Sequence, residues 1–154
     1  MTAPRLTPAR AGIAYLSVLV ALALLDAVWL GVLTQDLYRR EMGGLMADSF
    51  RAVPAALFYL LYPVALVYLV LWNRPPSLRD AALRSAVLGL AAYGAYDLTN
   101  LAIVRDWPVG LSLVDWTWGG VVSALAGSAG YRASWGRAWG TSANAPPPPA
   151  GRHR

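Results

Sequence analysis

The chain has 154 residues and is 57% hydrophobic, with a mean hydropathy of +0.44 and only 14% charged residues. Soluble domains carry about 25% charged residues, so this composition argues against an ordinary soluble globular domain. The net charge of +5 comes from 13 arginines and no lysines. They sit at segment ends and in tails, not in one stripe with interleaved aromatics, which argues against a nucleic-acid partner. There is no cysteine, which excludes disulfides, thiolate metal sites and cysteine nucleophiles. The single histidine, His153, lies near the end of a polar tail. That placement excludes histidine-ligated haem in the bilayer, a histidine-based zinc site and a Ser-His-Asp triad.

Residues 1–10 form a short basic tail with Pro4 and Pro8. Four apolar runs follow, at 11–33, 52–72, 83–104 and 109–131. Each is long enough to cross a hydrocarbon core of ~30 Å as a helix. Transmembrane strands would show ~10-residue alternation instead. The first run continues past any cleavage site near Ala21–Ala23 to Leu33, so a retained span is expected rather than a leader peptide. The expected fold is therefore all-α, an integral membrane four-helix bundle. Nine arginines fall on the side of the two termini and four on the other. This bias predicts that both termini are cytoplasmic.

The loop Thr34–Arg51 carries Asp36, Arg39, Arg40, Glu41 and Asp48 around Leu37, Tyr38, Met42, Leu45 and Met46. It reads as a short interfacial helix broken at Gly43-Gly44. In the second run, Pro63 lacks an N–H and frees the Tyr59 carbonyl. Pro75-Pro76 ends that helix, and Ser77 is a candidate N-cap for the next. The link Arg105–Pro108 is so short that the third and fourth helices must be antiparallel neighbours. Residues 132–154, rich in Gly, Ser, Ala, Arg and Pro, read as a disordered cytoplasmic tail. Trp72, Trp107, Trp135 and Trp139 read as interfacial anchors.

Three aspartates fall inside the spans: Asp26, Asp97 and Asp115. An Asp at mid-membrane costs ~2.5–3.5 kcal/mol on insertion scales. At 1.5 Å per residue all three lie roughly 10 Å below the outer surface, and Tyr59 shares that level. Every span thus contributes a polar group to one layer in the outer half of the bilayer. On the third helix Tyr93, Tyr96, Asp97 and Asn100 share a face. The expectation is a functional pocket with Asp97 as its central acid, flanked by Asp26 and Asp115. Asn100, Tyr96 and Tyr59 would orient the acids, and Trp29 and Trp118 would line the wall. If a divalent cation binds, Asp26, Asp97 and Asp115 are its candidate ligands. The rows Gly119, Ser123, Gly127 and Gly120, Ala124, Ser128, with Gly89 and Gly94, read as close-packing faces.

Three functions compete. A lipid-modifying or lipid-handling protein would use the acids beside aromatic walls suited to an acyl or isoprenoid chain. A proton-coupled carrier or binder of small molecules would cycle the acids through protonation, and would need a homo-oligomer to complete a path. An assembly protein would use the layer as helix glue, at only ~0.6 kcal/mol per intramembrane hydrogen bond on average.

The motifs Asp26-Ala-Val-Trp29-Leu-Gly31, Phe58-Tyr59-Leu-Leu-Tyr62, Tyr93-Gly-Ala-Tyr96-Asp97-Leu-Thr99-Asn100 and Asp115-Trp-Thr-Trp118-Gly119 carry a family resemblance. The chain resembles, over about residues 12–131, the bacterial four-helix membrane family known as domain of unknown function 2177. Tyr96-Asp97-Leu-Thr99-Asn100 with Trp107-Pro108 is the most specific part. The resemblance implies the four-span fold and the importance of these positions; the expected location is a bacterial cytoplasmic (inner) membrane. It implies no particular activity, substrate or cofactor.

Overall fold

The computed structural model describes residues 4–47 and 49–136. Asp48, and the tail beyond Gly136 with Trp139 and the proline run, lie outside the described residues. The fold is all-α, and four of its helices are long and apolar enough to cross a membrane: Pro8–Leu33, Ala52–Leu71, Leu78–Ile103 and Val109–Trp135.

Helix α1 (Pro8–Val28) starts earlier than its apolar run, because Thr7 caps it and Pro8 fits the first turn. It runs on as a π-helical turn, Trp29–Leu33. The hydroxyl of Thr34 then donates to the Trp29 carbonyl at 2.7 Å and closes the span. The expected loop helix is present as α2 (Gln35–Met42). It stops at Gly43, whose φ of +46° suits glycine and disfavours side chains. Helix α3 (Ala52–Leu66) contains Pro63 and continues as a second π-helical turn, Val67–Leu71. Ser77 caps α4 (Leu78–Ile103), accepting from the Asp80 N–H at 3.1 Å. That cap moves the start of the third span five residues ahead of the apolar run. Helix α5 (Val109–Trp135) follows Pro108. Arg132–Trp135 thus belong to the last helix and not to a tail.

Helix α5 is the hub: α4 packs along it on one side and α1 on another. Small residues set the α4–α5 approach. A Cβ on Gly89 would collide with the Gly119 carbonyl and with Ser123, and one on Gly127 with Ser85. The α5 row through Gly119, Ser123 and Gly127 therefore faces α4, and Gly120 of the neighbouring row also lies against Leu90 of α4. Lipid offers no hydrophobic drive for helix association, so close backbone approach is what holds such a pair. Replacing Gly89 with valine is expected to cost about 1–3 kcal/mol, the range for overpacking. Thermal unfolding in detergent, read by helical signal, checks this; an unchanged midpoint would contradict the close approach. The outward faces remain apolar, as at Leu16, Leu24, Leu57, Leu61 and Val87, all exposed and suited to acyl chains.

The backbone of helix α3 leans on α1 through its body and approaches α4 and α5 at its π-helical end Val67–Leu71, while Phe58 and Tyr62 reach α4 and α5 through their side chains. At the end of the bundle that carries the N-terminus, the chain closes tightly. Leu6 N–H donates to Trp72 O at 2.9 Å and Arg74 N–H to Pro4 O at 3.0 Å. The N-terminal segment is therefore paired to the α3–α4 link instead of trailing as a free tail. Trp135, expected at the membrane interface, is buried in the core, with its indole N–H on the Leu71 carbonyl at 3.2 Å. The guanidinium carbons of Arg10 and Arg74 lie 5.9 and 5.5 Å from its ring centroid. These are cation–π distances, so the tryptophan seats two of the arginines at that end.

Candidate functional site

The aspartates meet the other elements at the opposite end of the bundle, beneath α2. Asp26, on the last turns of α1, is 4% exposed. Each of its oxygens accepts one hydrogen bond: Oδ2 from the Tyr59 hydroxyl at 3.0 Å and Oδ1 from the Trp118 indole N–H at 2.8 Å. A carboxylate only accepts, so two donors on two oxygens suit its ionised form. The three residues come from α1, α3 and α5, which confirms that Asp26 and Tyr59 share one level. Trp118 lies flat on Trp29, with centroids 4.3 Å apart and planes 3° from parallel. The Trp29 indole N–H is buried beside the Tyr38 hydroxyl without forming a hydrogen bond of normal geometry. Such a group is costly unless something else accepts from it.

Asp115 on α5 accepts from the hydroxyl of Tyr38, which α2 lowers onto the bundle. Burial, reinforced by the bond to Asp115, pushes the Tyr38 hydroxyl above its ordinary value. It therefore keeps its proton and remains a donor at any physiological pH. Tyr38 is a site residue that the motif pattern alone does not single out. Its place on the apolar side of a short amphipathic helix, with Leu37 and Met42, was the available signal.

Asp26 and Asp115 both line a cavity of about 540 Å³. Its wall is largely aromatic: Trp29 and Trp118, then Phe58 and Tyr59 from α3, and Tyr93 and Tyr96 from α4. Phe58 stacks on Tyr62 at 5.3 Å and meets Tyr93 edge-on at 6.3 Å. Tyr62 in turn shares a 2.6 Å hydrogen bond with Ser123 of α5. Phe58, which stands outside the expected pocket, is the side chain that spans from α3 to α4 at this level.

Two expectations need correction. Asp97, expected as the central acid, does not line the large cavity. It is 2% exposed and borders a separate space of about 10 Å³ with Ser112, Trp107, Tyr96, Tyr38 and Asp115. That volume holds about one water molecule. Its Oδ2 has no hydrogen-bond partner, while Trp107 donates to Ser112 at 2.8 Å. Asn100 does not orient an acid either; its amide donates to the Tyr96 carbonyl of its own helix at 2.9 Å. The physical reason is rotation. Successive α-helical residues are about 100° apart. With Tyr93 and Tyr96 turned to the cavity, Asp97 is carried round toward the start of α5. Trp107, expected as an interfacial anchor, is bound into this polar group, with Tyr96 edge-on at 5.6 Å.

The three aspartates also fail as a shared cation site. Among the described residues no group of three or more His, Cys, Asp or Glu side chains comes together to hold a metal ion. The chain has no cysteine to supply a thiolate.

The class is thus defined: a four-span all-α membrane protein with buried Asp, Tyr and Trp side chains. The chain matches the family described as predicted membrane protein DUF2177 over residues 11–132, and it belongs to that family. No curated protein and no solved structure matches it.

Proposed function

We propose that this protein handles lipid, binding the polar end of an amphiphile in the aromatic cavity between its spans. The observation that carries the reading is the joining of two aspartates and a wall of aromatic rings in one cavity of about 540 Å³. Pockets for small organic ligands are mostly apolar, with a few fixed polar groups, and span ~300–1,000 Å³. With the termini in the bacterial cytoplasm, as the arginine bias favours, the cavity lies in the outer half of the inner membrane. Asp26 and Asp115 are the groups placed to fix a ligand or exchange a proton with it. Tyr59, Tyr38 and Trp118 orient them, and Trp29, Phe58 and Tyr96 form the wall. A lipid profile of a strain lacking the gene, complemented with wild type or Asp26→Asn, tests this. The deletion should change a defined lipid class, wild type should restore it, and Asp26→Asn should not. Identical profiles in all three strains would sink the reading.

A second reading, a proton-coupled carrier, is favoured by one observation. The Asp97 carboxyl, whose Oδ2 has no hydrogen-bond partner, shares its small space with Asp115 and Tyr38, which also line the large cavity. A carrier of this kind would require Asp97→Asn to abolish proton-driven uptake into proteoliposomes while ligand still binds. Lipid handling predicts that Asp97→Asn restores the deletion strain's lipid profile as well as wild type does.

A further inference from the structure

We propose that the cavity recognises the ammonium group of an amphiphile, which enters sideways from the bilayer between α3 and α4. The inference rests on the reading of the cavity as a ligand site and names the ligand's chemistry. It starts from charge. Two acids line the cavity and no arginine does. The donors nearest them, from Tyr38, Tyr59 and Trp118, are already committed to the carboxyls. A phosphate or carboxylate group would meet two acids and no cation, so an anionic headgroup is the wrong partner. A hard metal ion is not favoured, because among the described residues no third Asp, Glu, His or Cys joins the two carboxyls.

An organic cation fits both kinds of wall. Aromatic faces attract ammonium groups through the ring quadrupole, most strongly where water is excluded, and cages of this kind hold quaternary ammonium ligands. Here the rings surround the same space as the two acids. The buried N–H of Trp29, which makes no hydrogen bond of normal geometry, is a spare donor for an oxygen near the ammonium.

The entry follows from packing. The body of α3 rests on α1, and α4 meets the third span at Val67–Leu71, toward the other end. At the level of the cavity the α3–α4 seam is bridged by the Phe58–Tyr93 contact, and Phe58 is 38% and Tyr96 52% exposed. A headgroup seated on the aspartates would pass this seam and leave its chain among the exposed apolar residues outside.

The test uses the full chain in a neutral maltoside detergent, with native mass spectrometry and tryptophan fluorescence as readouts. The probes are phosphatidylethanolamine, phosphatidylglycerol and benzyldimethyldodecylammonium. Either ammonium probe should bind at least tenfold more tightly than phosphatidylglycerol, and Asp26→Asn should weaken it at least tenfold. Asp115→Asn, which gives up only one hydrogen bond, repeats the test if Asp26→Asn does not fold. Tyr68→Phe, on the exposed face near the other end, should bind like wild type. Binding of phosphatidylethanolamine alone assigns the cation to a lipid headgroup; binding of the quaternary cation alone assigns it to a free amphiphile. Equal or tighter binding of phosphatidylglycerol, still sensitive to Asp26, overturns the cation proposal and leaves the lipid-handling reading standing. Binding that ignores both aspartates, or no binding of any probe, overturns both.

Discussion

Asp26→Leu is expected to destabilise the protein and to reduce its function to the level of the deletion. The substitution strands the Tyr59 hydroxyl and the Trp118 N–H, which lie 3.0 and 2.8 Å from the carboxyl oxygens. A buried donor without an acceptor costs about 1–3 kcal/mol. Intramembrane bonds average nearer ~0.6 kcal/mol, because the unfolded chain in lipid also finds partners. Two stranded donors in a buried site place the expected loss at about 1–3 kcal/mol in total. The triple variant Asp26→Leu/Tyr59→Phe/Trp118→Phe removes the donors with the acceptor. It should regain most of the stability, since replacing all partners by apolar groups is close to neutral. If the cluster is helix glue, function returns with stability. If it is a site, the triple variant is stable and inactive. Unfolding midpoints in detergent and complementation of the lipid profile give the two readouts separately. Coupling between Asp26 and Tyr59 should exceed the ~0.3–0.5 kcal/mol scatter of independent sites.

The parts of this architecture that were legible in the sequence are those fixed by distance along the chain. Apolar run length gave the four spans, and the short Arg105–Pro108 link gave the α4–α5 pair. Counting residues from the span ends put Asp26 and Tyr59 at one depth, and they are hydrogen-bonded. What escaped depends on rotation and on docking. Depth does not say which way α4 is turned, so Asp97 and Tyr96, adjacent in sequence, read as parts of one pocket, whereas only Tyr96 lines the large cavity. Tyr38 lies 77 residues from Asp115, and nothing local to α2 announces that contact. The helix ends were misplaced for a related reason. Thr7 and Ser77 caps, and burial of Trp135 under two arginines, extend helices beyond their apolar runs. Hydropathy marks where lipid begins, not where the backbone hydrogen bonds stop.

Trp29→Phe and Trp118→Phe should give opposite results although the two rings are stacked on each other. Either substitution breaks the indole pair at 4.3 Å, so both should lose the exciton signal that parallel indoles give in circular dichroism. Trp118→Phe also removes the donor on Asp26 Oδ1 and leaves that oxygen buried without a partner. It should lower stability by about 1–3 kcal/mol. Trp29→Phe removes a buried N–H that makes no hydrogen bond of normal geometry in the protein, its neighbour being the Tyr38 hydroxyl. Deleting an unpaired buried donor relieves a cost, so its stability should match or exceed that of wild type. The pair also separates structure from binding. A donor kept buried and unpaired, on a residue that lines the cavity, is explained if a ligand accepts from it. Trp29→Phe is then the variant whose affinity for its ligand falls while its unfolding midpoint holds. A Trp29→Phe protein that binds as well as wild type would leave that N–H without a role in recognition. The aspartates would then have to select the ligand with the ring faces alone.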